Sequence, residues 1–310
     1  MDMNKGYEEQ YLELLEKTLT KGVYCEDRTG TGCYKLFSEG MKFDLRKGFP
    51  LLTTKNVNFD NVIGELLWFL NGKTDLPSLR KYQGKPEGAK TIWTDDFNKY
   101  WDRVEKEQPA GGSVCLDRML EDGGRIYGSQ LRDYNQEVGV VDQLSILIQN
   151  IRDLKEDPNH PMGRRLKCEF WNPVEHLKCS GLTAALPACH VGFQVVVFKD
   201  TLNLHFNLRS NDIFLGNPYN VPSYAALAHI IAKITDLQVG ELSYHGADVH
   251  LYSNHKEQAL EQLSRSPSHS VPELVLPNIT CIDDLQSLTC KDFKIENYFP
   301  QGYIKAPQAS

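Results

Sequence analysis

The chain has 310 residues and a formal net charge of −7, and acidic and basic residues are mixed along its length. A chain of this length can bury a substantial core, while the mixed charge leaves no basic stripe for a nucleic-acid backbone. No apolar run approaches the length of a membrane span, and the first ten residues lack the apolar core of a signal peptide. We therefore expect neither a nucleic-acid nor a membrane partner, and an anionic small molecule would have to be held by a few placed arginines.

Eight cysteines are scattered through the chain without a CxxC pair. In a long chain without a secretory signal, such scattered cysteines are typical of a reducing compartment. The sequence therefore predicts a cytoplasmic protein with reduced thiols and no cysteine metal site.

The first predicted elements are two helices with a loop and a strand between them. Residues 7–20 place apolar side chains on one broad face of an amphipathic helix. Residues 27–32 contain two close glycines, which exclude a helix and predict a loop that carries Arg28. Residues 41–54 predict a short alternating strand and a turn, and residues 58–71 predict a mostly buried helix.

Two charged side chains in these elements each allow two interpretations. Arg28 is either a solvated loop charge or a clamp that closes over a phosphate. Glu65 falls in the middle of the apolar stretch of its predicted helix. Either it faces solvent or it is buried, and a buried carboxylate needs partners or a raised pKa, which makes it a candidate acid or base.

The next part of the chain carries aromatic residues and a bracketed tyrosine. Residues 92–101 are aromatic and helical in character, whereas residues 105–114 predict a loop insertion. Tyr127 lies between Gly124 and Gly128, in a segment that must allow close backbone contact. A tyrosine in this position can simply pack against the core.

A helix and a strand follow, with two arginines between them. Residues 141–157 predict an amphipathic helix that ends at Asp157-Pro158. Arg164 and Arg165 come directly before a predicted strand at residues 166–171. Paired arginines in such a place are most often surface charges, with ligand binding as the alternative.

The strongest pattern lies in the centre of the chain. A Pro-Ala break leads Cys189 and His190 into an apolar run at residues 191–198, and a second strand at residues 202–208 follows a polar turn. The most economical geometry is a hairpin that brings Arg209 near the thiol. A fixed positive charge stabilises a thiolate and makes it a nucleophile, whereas the alternative is an inert core cysteine.

Residues 243–255 predict a strand and a turn with several polar side chains. His250 and Tyr252 are two positions apart, so they face the same side of the strand. The spacing of Asp248, His250 and His255 fits no common zinc pattern, and we expect no metal. A better role for the histidine and the tyrosine is to donate hydrogen bonds to a sugar hydroxyl.

The remaining elements complete one domain. Residues 224–236 predict a helix, and residues 266–300 predict loop and short strand. The chain contains no internal repeat, low-complexity tract or linker. We therefore expect a single α/β (α+β) domain over residues 1–310, with a mixed β-sheet flanked by helices.

Several strings resemble the thymidylate synthase family in their order and spacing. They are DRTGTG at 27–32, ELLWFL at 65–70, LPACH at 186–190, LRSND at 208–212, NPYNVPSY at 217–224 and IKAP at 304–307. The resemblance covers nearly the whole chain. It implies a thymidylate synthase-like fold, a homodimer, and a C-terminal lid at about residues 298–310.

The resemblance also implies a substrate, deoxyuridine monophosphate (dUMP), and a co-substrate, 5,10-methylenetetrahydrofolate. The implied catalytic residues are Cys189, Glu65, Tyr127, Asn220 and His190. The implied substrate-binding residues are Arg28, Arg164, Arg165, Arg209, Ser210, Gln194, Asn220, His250 and Tyr252. The implied cofactor-binding residues are Asp212, Trp93, Gly216 and Ile92.

Individual roles follow from the same resemblance. A thiolate at Cys189 adds to C6 of the uracil ring and makes C5 nucleophilic. Glu65 moves protons through water, and Tyr127 positions the water that removes the C5 proton. The amide of Asn220 pairs with N3–H and O4, which selects uracil over cytosine. The two arginines before residue 166 reach the phosphate in the other subunit of the dimer.

Two products are open within this family. If the departing tetrahydrofolate returns a hydride to the new methylene group on the ring, the products are thymidylate and dihydrofolate. If water adds to that group, the products are 5-hydroxymethyl-dUMP and tetrahydrofolate. Compared with the synthase pattern, Asp96 and Leu131 replace aromatic residues and the apolar terminal residue is Ser310, although Trp93 and the IKAP string are retained. These changes favour dUMP hydroxymethylase as the function. Thymidylate synthase is the alternative, and an inactive nucleotide- or folate-binding homologue ranks third.

Overall fold

The computed structural model describes residues 5–27, 30–107, 118, 120–134, 139–173, 175 and 183–308. Within these ranges, seven strands form one sheet and two further strands pair separately. The strands of the main sheet are β1 (Val23–Cys25), β2 (Cys33–Asp44), β3 (Lys167–Glu169), β4 (His190–Phe198), β5 (Thr201–Leu208), β6 (Asn211–Asp212) and β7 (Gln238–Tyr252). The separate pair is β8 (Glu273–Val275) and β9 (Lys294–Glu296).

The main sheet is mixed, and its strand order is β1-β2-β7-β5-β4-β3 with β6 beside β7. β5 and β6 run parallel to β7, and the other neighbours are antiparallel. The hairpin predicted in the centre of the chain is confirmed as β4 and β5. Its turn lies at Lys199 and Asp200, and Lys199 has a left-handed backbone with φ of 58°.

Three strands differ in length from the prediction, and one of them is β7, which starts at Gln238 and not at residue 243. β2 starts at Cys33, well before residue 41, because it pairs with β7 from Cys33 opposite Tyr252 to Asp44 opposite Glu241. Its first half is mostly half-buried and shows no regular alternation of burial that a sequence pattern could detect. The strand predicted at residues 166–171 is only Lys167–Glu169.

Eight helices with described bounds surround the sheet. They are α1 (Tyr7–Lys21), α2 (Phe59–Leu70), α3 (Leu76–Tyr82), α4 (Thr94–Glu107), α5 (Tyr127–Arg132), α6 (Gln143–Glu156), α7 (Asn217–Ile234) and α8 (Lys256–Leu263). The Asn58 side chain caps α2 and the Asp142 side chain caps α6, as is typical of helix N-termini. α6 ends directly before Asp157-Pro158, as predicted. The first three residues of the loop predicted at 105–114 belong instead to α4, and the rest of that loop lies outside the described residues.

α7 is the central buried helix, and it begins seven residues before the predicted start at residue 224. Pro218 fits the first turn of a helix, where its missing N–H would have no partner. Pro222 lies inside the helix and is buried. The prediction was wrong here because two prolines signal a turn, whereas burial against the sheet stabilises this helix. The ring of Tyr224 stacks on Phe206 of β5 at 3.9 Å.

One continuous apolar core joins the helices to the sheet, so the protein is a single mixed α/β domain. Its largest fully buried side chains include Trp68 of α2, Tyr11 of α1 and Phe206 of β5. No helix among the described residues has the length and apolar composition that a membrane crossing requires.

Candidate active site

Cys189 lies directly before β4, and Arg209 lies directly after β5. The hairpin register places His190 opposite Leu208, and the Arg209 backbone N–H donates to the Cys189 carbonyl at 2.9 Å. Arg209 Nη2 is therefore 3.8 Å from Cys189 Sγ. The structure confirms that the hairpin brings the positive charge to the thiol.

Contacts on three sides fix the guanidinium of Arg209. Its Nε donates to the Ala188 carbonyl at 2.8 Å, and its Nη2 donates to the Pro187 carbonyl at 3.2 Å. The group also lies over the ring of Trp171, 5.2 Å from the centroid. Because Arg209 is only partly buried, it can also meet an anion, and Ser210 lies next to it.

Tyr127 contacts the nucleophile segment from the opposite side. Its hydroxyl accepts a hydrogen bond of 2.7 Å from the backbone N–H of Cys189. Burial raises the pKa of Tyr127, so the phenol stays protonated and keeps its own O–H to donate. A Cβ at Gly128 would lie 2.4 Å from the Lys73 carbonyl, which explains the glycine beside this tyrosine.

Glu65 on α2 is joined to the same cluster through Trp93. The Trp93 indole donates to Glu65 Oε1 at 2.5 Å, and the Trp93 ring lies 6.0 Å from the Tyr127 ring. Burial raises the pKa of Glu65, while the hydrogen bond from Trp93 and the charge of Lys85 lower it. A carboxylate held in this way is suited to gaining and losing a proton.

His190 is held in one tautomer by two neighbours on α7. Burial lowers the pKa of His190 to about 4, so the ring is neutral at physiological pH. Its Nδ1 lies 3.0 Å from the Tyr224 hydroxyl and its Nε2 lies 3.1 Å from Asn220 Nδ2. Since an amide nitrogen can only donate, Nε2 accepts and Nδ1 carries the proton. His190 thus orients the amide of Asn220.

Asp212, Gly216 and a buried lysine form the next part of the site. The Asp212 carboxylate accepts from the backbone N–H groups of Phe214 at 2.8 Å and Leu215 at 3.0 Å, and Gly216 precedes α7. Lys55 is 6% exposed, and its Nζ lies over the Phe214 ring and donates to the Phe214 carbonyl at 2.5 Å. Burial lowers the pKa of Lys55 to about 7, while the charge of Asp212 raises it.

His250 and Tyr252 are on β7 and face the same side, as predicted. Their ring centroids are 5.1 Å apart. His250 Nδ1 lies 3.0 Å from Asp248 Oδ1, and the His250 carbonyl accepts from the Ile213 N–H at 2.9 Å. Hydrogen bonds from His250 and Lys35 hold the pKa of Asp248 at about 2.

Other predicted residues are not joined to Cys189 within the part of the chain that the structure describes. Ile92 is exposed beside Trp93. Gln194 lies between Phe193 and Val195, which are buried, so its side chain points to the other face of the sheet.

The other three predicted arginines do not join this cluster within the described residues. Arg164 and Arg165 are exposed in the turn before β3. The Arg165 backbone N–H donates to the Met162 carbonyl at 2.8 Å, but no hydrogen bond or ion pair joins either guanidinium to another described residue. Arg28 lies outside the described residues, as does the terminal Ser310.

Sequence reasoning missed four buried residues around the site. They are Lys55, Asn211, Asn217 and Tyr244. Lys55 had a weak signal, a lysine directly after the run LLTT. The two asparagines and the tyrosine are polar positions in apolar surroundings. No local pattern pairs them, because the asparagines lie on a strand and a helix and their tyrosine partners are 33 and 210 positions away.

Together these contacts place a thiol, a fixed cation, a neutral phenol, a carboxylate and an oriented amide in one cluster. This arrangement suits nucleophilic addition to a ring that presents both a hydrogen-bond donor and an acceptor. Among the described residues, no group of three or more His, Cys, Asp or Glu side chains could hold a metal ion.

Comparison with known proteins agrees with this chemistry. Residues 9–310 match the family described as "Thymidylate synthase". A "Probable thymidylate synthase" of Escherichia phage T5 is 39% identical over 306 residues, which cover 97% of this chain and 100% of that protein. A "Thymidylate synthase" of Buchnera aphidicola subsp. Schizaphis graminum is 39% identical, over 96% of this chain and 97% of its own length. Another, from Listeria monocytogenes serotype 4a, is 37% identical, over 96% and 98%.

Proposed function

The chain belongs to the thymidylate synthase family, whose members transfer one carbon to dUMP, and from this premise we propose that Cys189 is the nucleophile of that reaction. The observation that carries the proposal is the guanidinium of Arg209 at 3.8 Å from the Cys189 sulfur. A fixed cation at this distance stabilises the thiolate. Addition of the thiolate forms a bond between sulfur and C6 of uracil and breaks the π bond between C5 and C6. Its electron pair is shared by C5 and O4 as an enolate, which groups that hydrogen-bond to O4 stabilise.

Neighbouring residues would then move protons and orient the base. Glu65, with its pKa raised by burial, would exchange protons with O4 through water. The phenol of Tyr127 would position the water that takes the C5 proton. The amide of Asn220, already oriented by His190, would pair with N3–H and O4.

The phosphate of dUMP would be held by the fixed cation of Arg209 and the hydroxyl of Ser210. Arg28 would add a contact from its loop. Arg164 and Arg165 are exposed in the single chain, which supports the proposal that they complete the site of a second copy in a homodimer. We place this enzyme in the cytoplasm.

The folate would occupy the side of the site that Trp93 and Asp212 border, with Gly216 and Ile92 nearby. The second carboxylate oxygen of Asp212 has no hydrogen bond within the described ranges, which suits a pterin N–H donor. When bound, 5,10-methylenetetrahydrofolate supplies the one-carbon unit and, for thymidylate, also a hydride. The C-terminal segment from about residue 298 would act as a lid over the folate.

Contacts of this segment with the body of the protein support the lid proposal. Ile304 is 4% exposed, and the Gln301 N–H donates to the Thr53 carbonyl at 2.7 Å. His255 Nε2 lies 2.6 Å from the Pro307 carbonyl. A segment held at three points can exclude water from the ring that it covers.

For the product, we propose thymidylate first and 5-hydroxymethyl-dUMP second, which reverses the order that the sequence alone favoured. Leu131, where the synthase pattern has an aromatic residue, is 1% exposed. The position is therefore packed in the core, and the substitution opens no path for water. Trp93 is 7% exposed, and the relatives described above carry the name thymidylate synthase. The partly exposed Asp96, where a folate-contacting tryptophan was expected, still favours water addition and keeps the second product open.

The test is a product analysis by mass after incubation with dUMP and 5,10-methylenetetrahydrofolate. Thymidylate with dihydrofolate supports the first product, and 5-hydroxymethyl-dUMP with tetrahydrofolate supports the second. Cys189→Ala should abolish both, and Cys168→Ala, in the core of β3, is the matched control. A protein that binds dUMP but gives neither product would be the inactive homologue, and one that binds no dUMP would contradict the proposal.

A further inference from the structure

Three asparagine side chains form a continuous hydrogen-bonded row that ends at Asn220, and we name it the amide row (Asn217, Asn211, Asn220). Asn217 Nδ2 donates to Asn211 Oδ1 at 2.9 Å, and Asn211 Nδ2 donates to Asn220 Oδ1 at 3.2 Å. Asn211 is 2% exposed and Asn217 is 0% exposed. Because each amide nitrogen meets the oxygen of the next amide, the orientation of each amide depends on its neighbour.

Tyrosine hydroxyls donate to the first two amides of the amide row. Tyr244 donates to Asn211 Oδ1 at 2.7 Å, and Tyr7 donates to Asn217 Oδ1 at 3.4 Å. Gly246 makes room for the first contact, since a Cβ there would lie 2.3 Å from the Tyr244 hydroxyl oxygen. The row therefore begins at O–H donors.

The other end of the row meets an acceptor. Asn220 Nδ2 lies 3.1 Å from His190 Nε2, and burial keeps this histidine neutral. Donors at one end and an acceptor at the other give the row a direction, so that Asn220 is held on one side through its oxygen and on the other through its nitrogen.

This direction determines what Asn220 offers to a base. A primary amide has two N–H groups and two oxygen lone pairs. One N–H is used by His190 and one lone pair by Asn211, which leaves one of each for a ligand. Uracil presents N3–H and the O4 acceptor, whereas cytosine presents the N3 acceptor and an amino donor. An amide turned over by 180° would therefore fit cytosine in place of uracil.

We propose that Asn211 is a positioning residue that sets base specificity, because its N–H donation holds the Asn220 amide in the orientation that pairs with uracil. This inference rests on the proposed function, in which Asn220 reads the base of dUMP. Asn211 itself is buried behind Asn220 and acts only through it.

The test is to replace Asn211 by groups that change the donor into an acceptor or remove it. In Asn211→Asp, the new carboxylate can accept from Asn217 and Tyr244 as before, but it can only accept on the side of Asn220. Asn220 would have to turn its amide over to donate to it, and His190 could follow by exchanging its tautomer. Asn211→Leu removes the donor without imposing the opposite orientation.

The measurement is the dissociation constant of dUMP and of deoxycytidine monophosphate (dCMP) for each purified full-length variant. We expect wild type to prefer dUMP, and Asn211→Asp to shift the ratio of the two constants towards dCMP by on the order of tenfold or more. Asn211→Leu should reduce the preference by less. Asn203→Asp, a half-buried amide near the turn of the β4–β5 hairpin, is the matched control and should keep the wild-type ratio.

Two outcomes would overturn the inference: an unchanged ratio in a folded Asn211→Asp protein, or equal changes in the two Asn211 variants. If Asn211→Asp does not fold, Asn211→Leu decides alone, because it removes the N–H donation to Asn220, and an unchanged ratio of the dUMP and dCMP dissociation constants in that variant would overturn the inference. Asn220→Asp separates the two proposals. If it shifts preference to dCMP while Asn211→Asp does not, only the role of Asn211 fails, whereas a wild type that binds neither nucleotide contradicts both.

Discussion

The indole N–H of Trp93 lies 2.5 Å from Oε1 of Glu65, so a residue expected to contact folate also holds the candidate acid–base group. The two side chains come from α2 and the segment before α4, which pack through an aromatic cluster that includes Phe69, with its ring 6.3 Å from that of Trp93. A change at either residue should therefore alter proton transfer as well as binding.

Replacement of Glu65 by Gln should stabilise the protein at neutral pH and have little effect at acid pH. Burial raises the pKa of Glu65 in the folded state, so its proton stabilises the fold below the ordinary carboxyl pKa of about 4.3 and that stability is lost as the pH rises through the raised pKa. Glutamine carries no charge and avoids this loss. The free energy of unfolding measured with urea should be larger for Glu65→Gln than for the wild type, by a difference that grows with pH. The variant should also lose activity. A margin that is constant from pH 4 to pH 8 would contradict the buried-carboxylate interpretation.

Replacement of Trp93 by Phe should move the ascending limb of the pH profile of kcat to higher pH. The indole hydrogen bond lowers the pKa of Glu65, so its removal raises that pKa further. Trp101→Phe is the matched control, because the Trp101 indole donates to the Asp122 carbonyl at 2.8 Å and has no contact with Glu65. The ascending limb should move only in the first variant, and equal shifts in both would refute the assignment.

Acid should destabilise the fold through two partly buried histidines, His190 and His229. Burial lowers the pKa values of His190 and His229 to about 4, below the ordinary value of about 6.5. As the pH falls from about 6.5 to about 4, the unfolded state takes up protons that the folded state does not, and stability decreases. His190→Gln and His229→Gln should each reduce this slope in urea unfolding, whereas His269→Gln, in an exposed segment, should not. The prediction fails if all three variants keep the wild-type slope.

Arg209→Gln should slow alkylation of Cys189. The guanidinium is 3.8 Å from the sulfur and stabilises the thiolate, which is the reacting form. An effect of about tenfold is expected from one neighbouring charge. Mass spectrometry of the modified peptide gives the rate, and the partly buried thiol of Cys25 provides an internal reference within the same molecule. Arg152→Lys on α6 is a charge-preserving control, and a faster Cys25 reaction would point to general damage to the fold, because unfolding exposes a partly buried thiol.

Ile304→Ala should weaken folate binding and spare dUMP binding. Ile304 is 4% exposed, and truncation of a buried isoleucine costs about 2–5 kcal/mol where its surroundings cannot collapse. That loss would fall on the contact of the C-terminal segment with the body of the protein. Tyr303→Ala is the matched control, because Tyr303 directly precedes Ile304 and its own side chain is 63% exposed. A higher KM for 5,10-methylenetetrahydrofolate in the first variant alone is expected, and unchanged KM values in both would argue against a lid.

Elements with a local signal were predictable from the sequence. The β4–β5 hairpin was predictable because alternation, an apolar run and a polar turn coincide, and this placed Arg209 near Cys189. α2 was predictable from its apolar periodicity. The start of α7 was not, because Pro218 and Pro222 carry the local signal of a turn while packing against the sheet decides the outcome.

Contacts between distant parts of the chain were beyond local patterns. Asn211 meets Tyr244 across 33 positions, and Tyr7 meets Asn217 across 210. The resemblance named Asn220 as the base reader but gave no reason for the direction of its amide. The roles of Arg164 and Arg165 stay predictions, because a second copy of the chain would be needed to bring them to the site.

The β4–β5 hairpin also determines where this chain can accept an insertion or new chain termini. The nucleophile and its cation lie at one end of the hairpin, and the Lys199-Asp200 turn lies at the other. Extra residues in the turn would leave His190 opposite Leu208. One residue inserted in either strand would instead move every following side chain of that strand to the opposite face of the sheet. New chain termini or a reporter domain could therefore be placed at this turn, close to Cys189 in sequence, without disturbing the thiol in space.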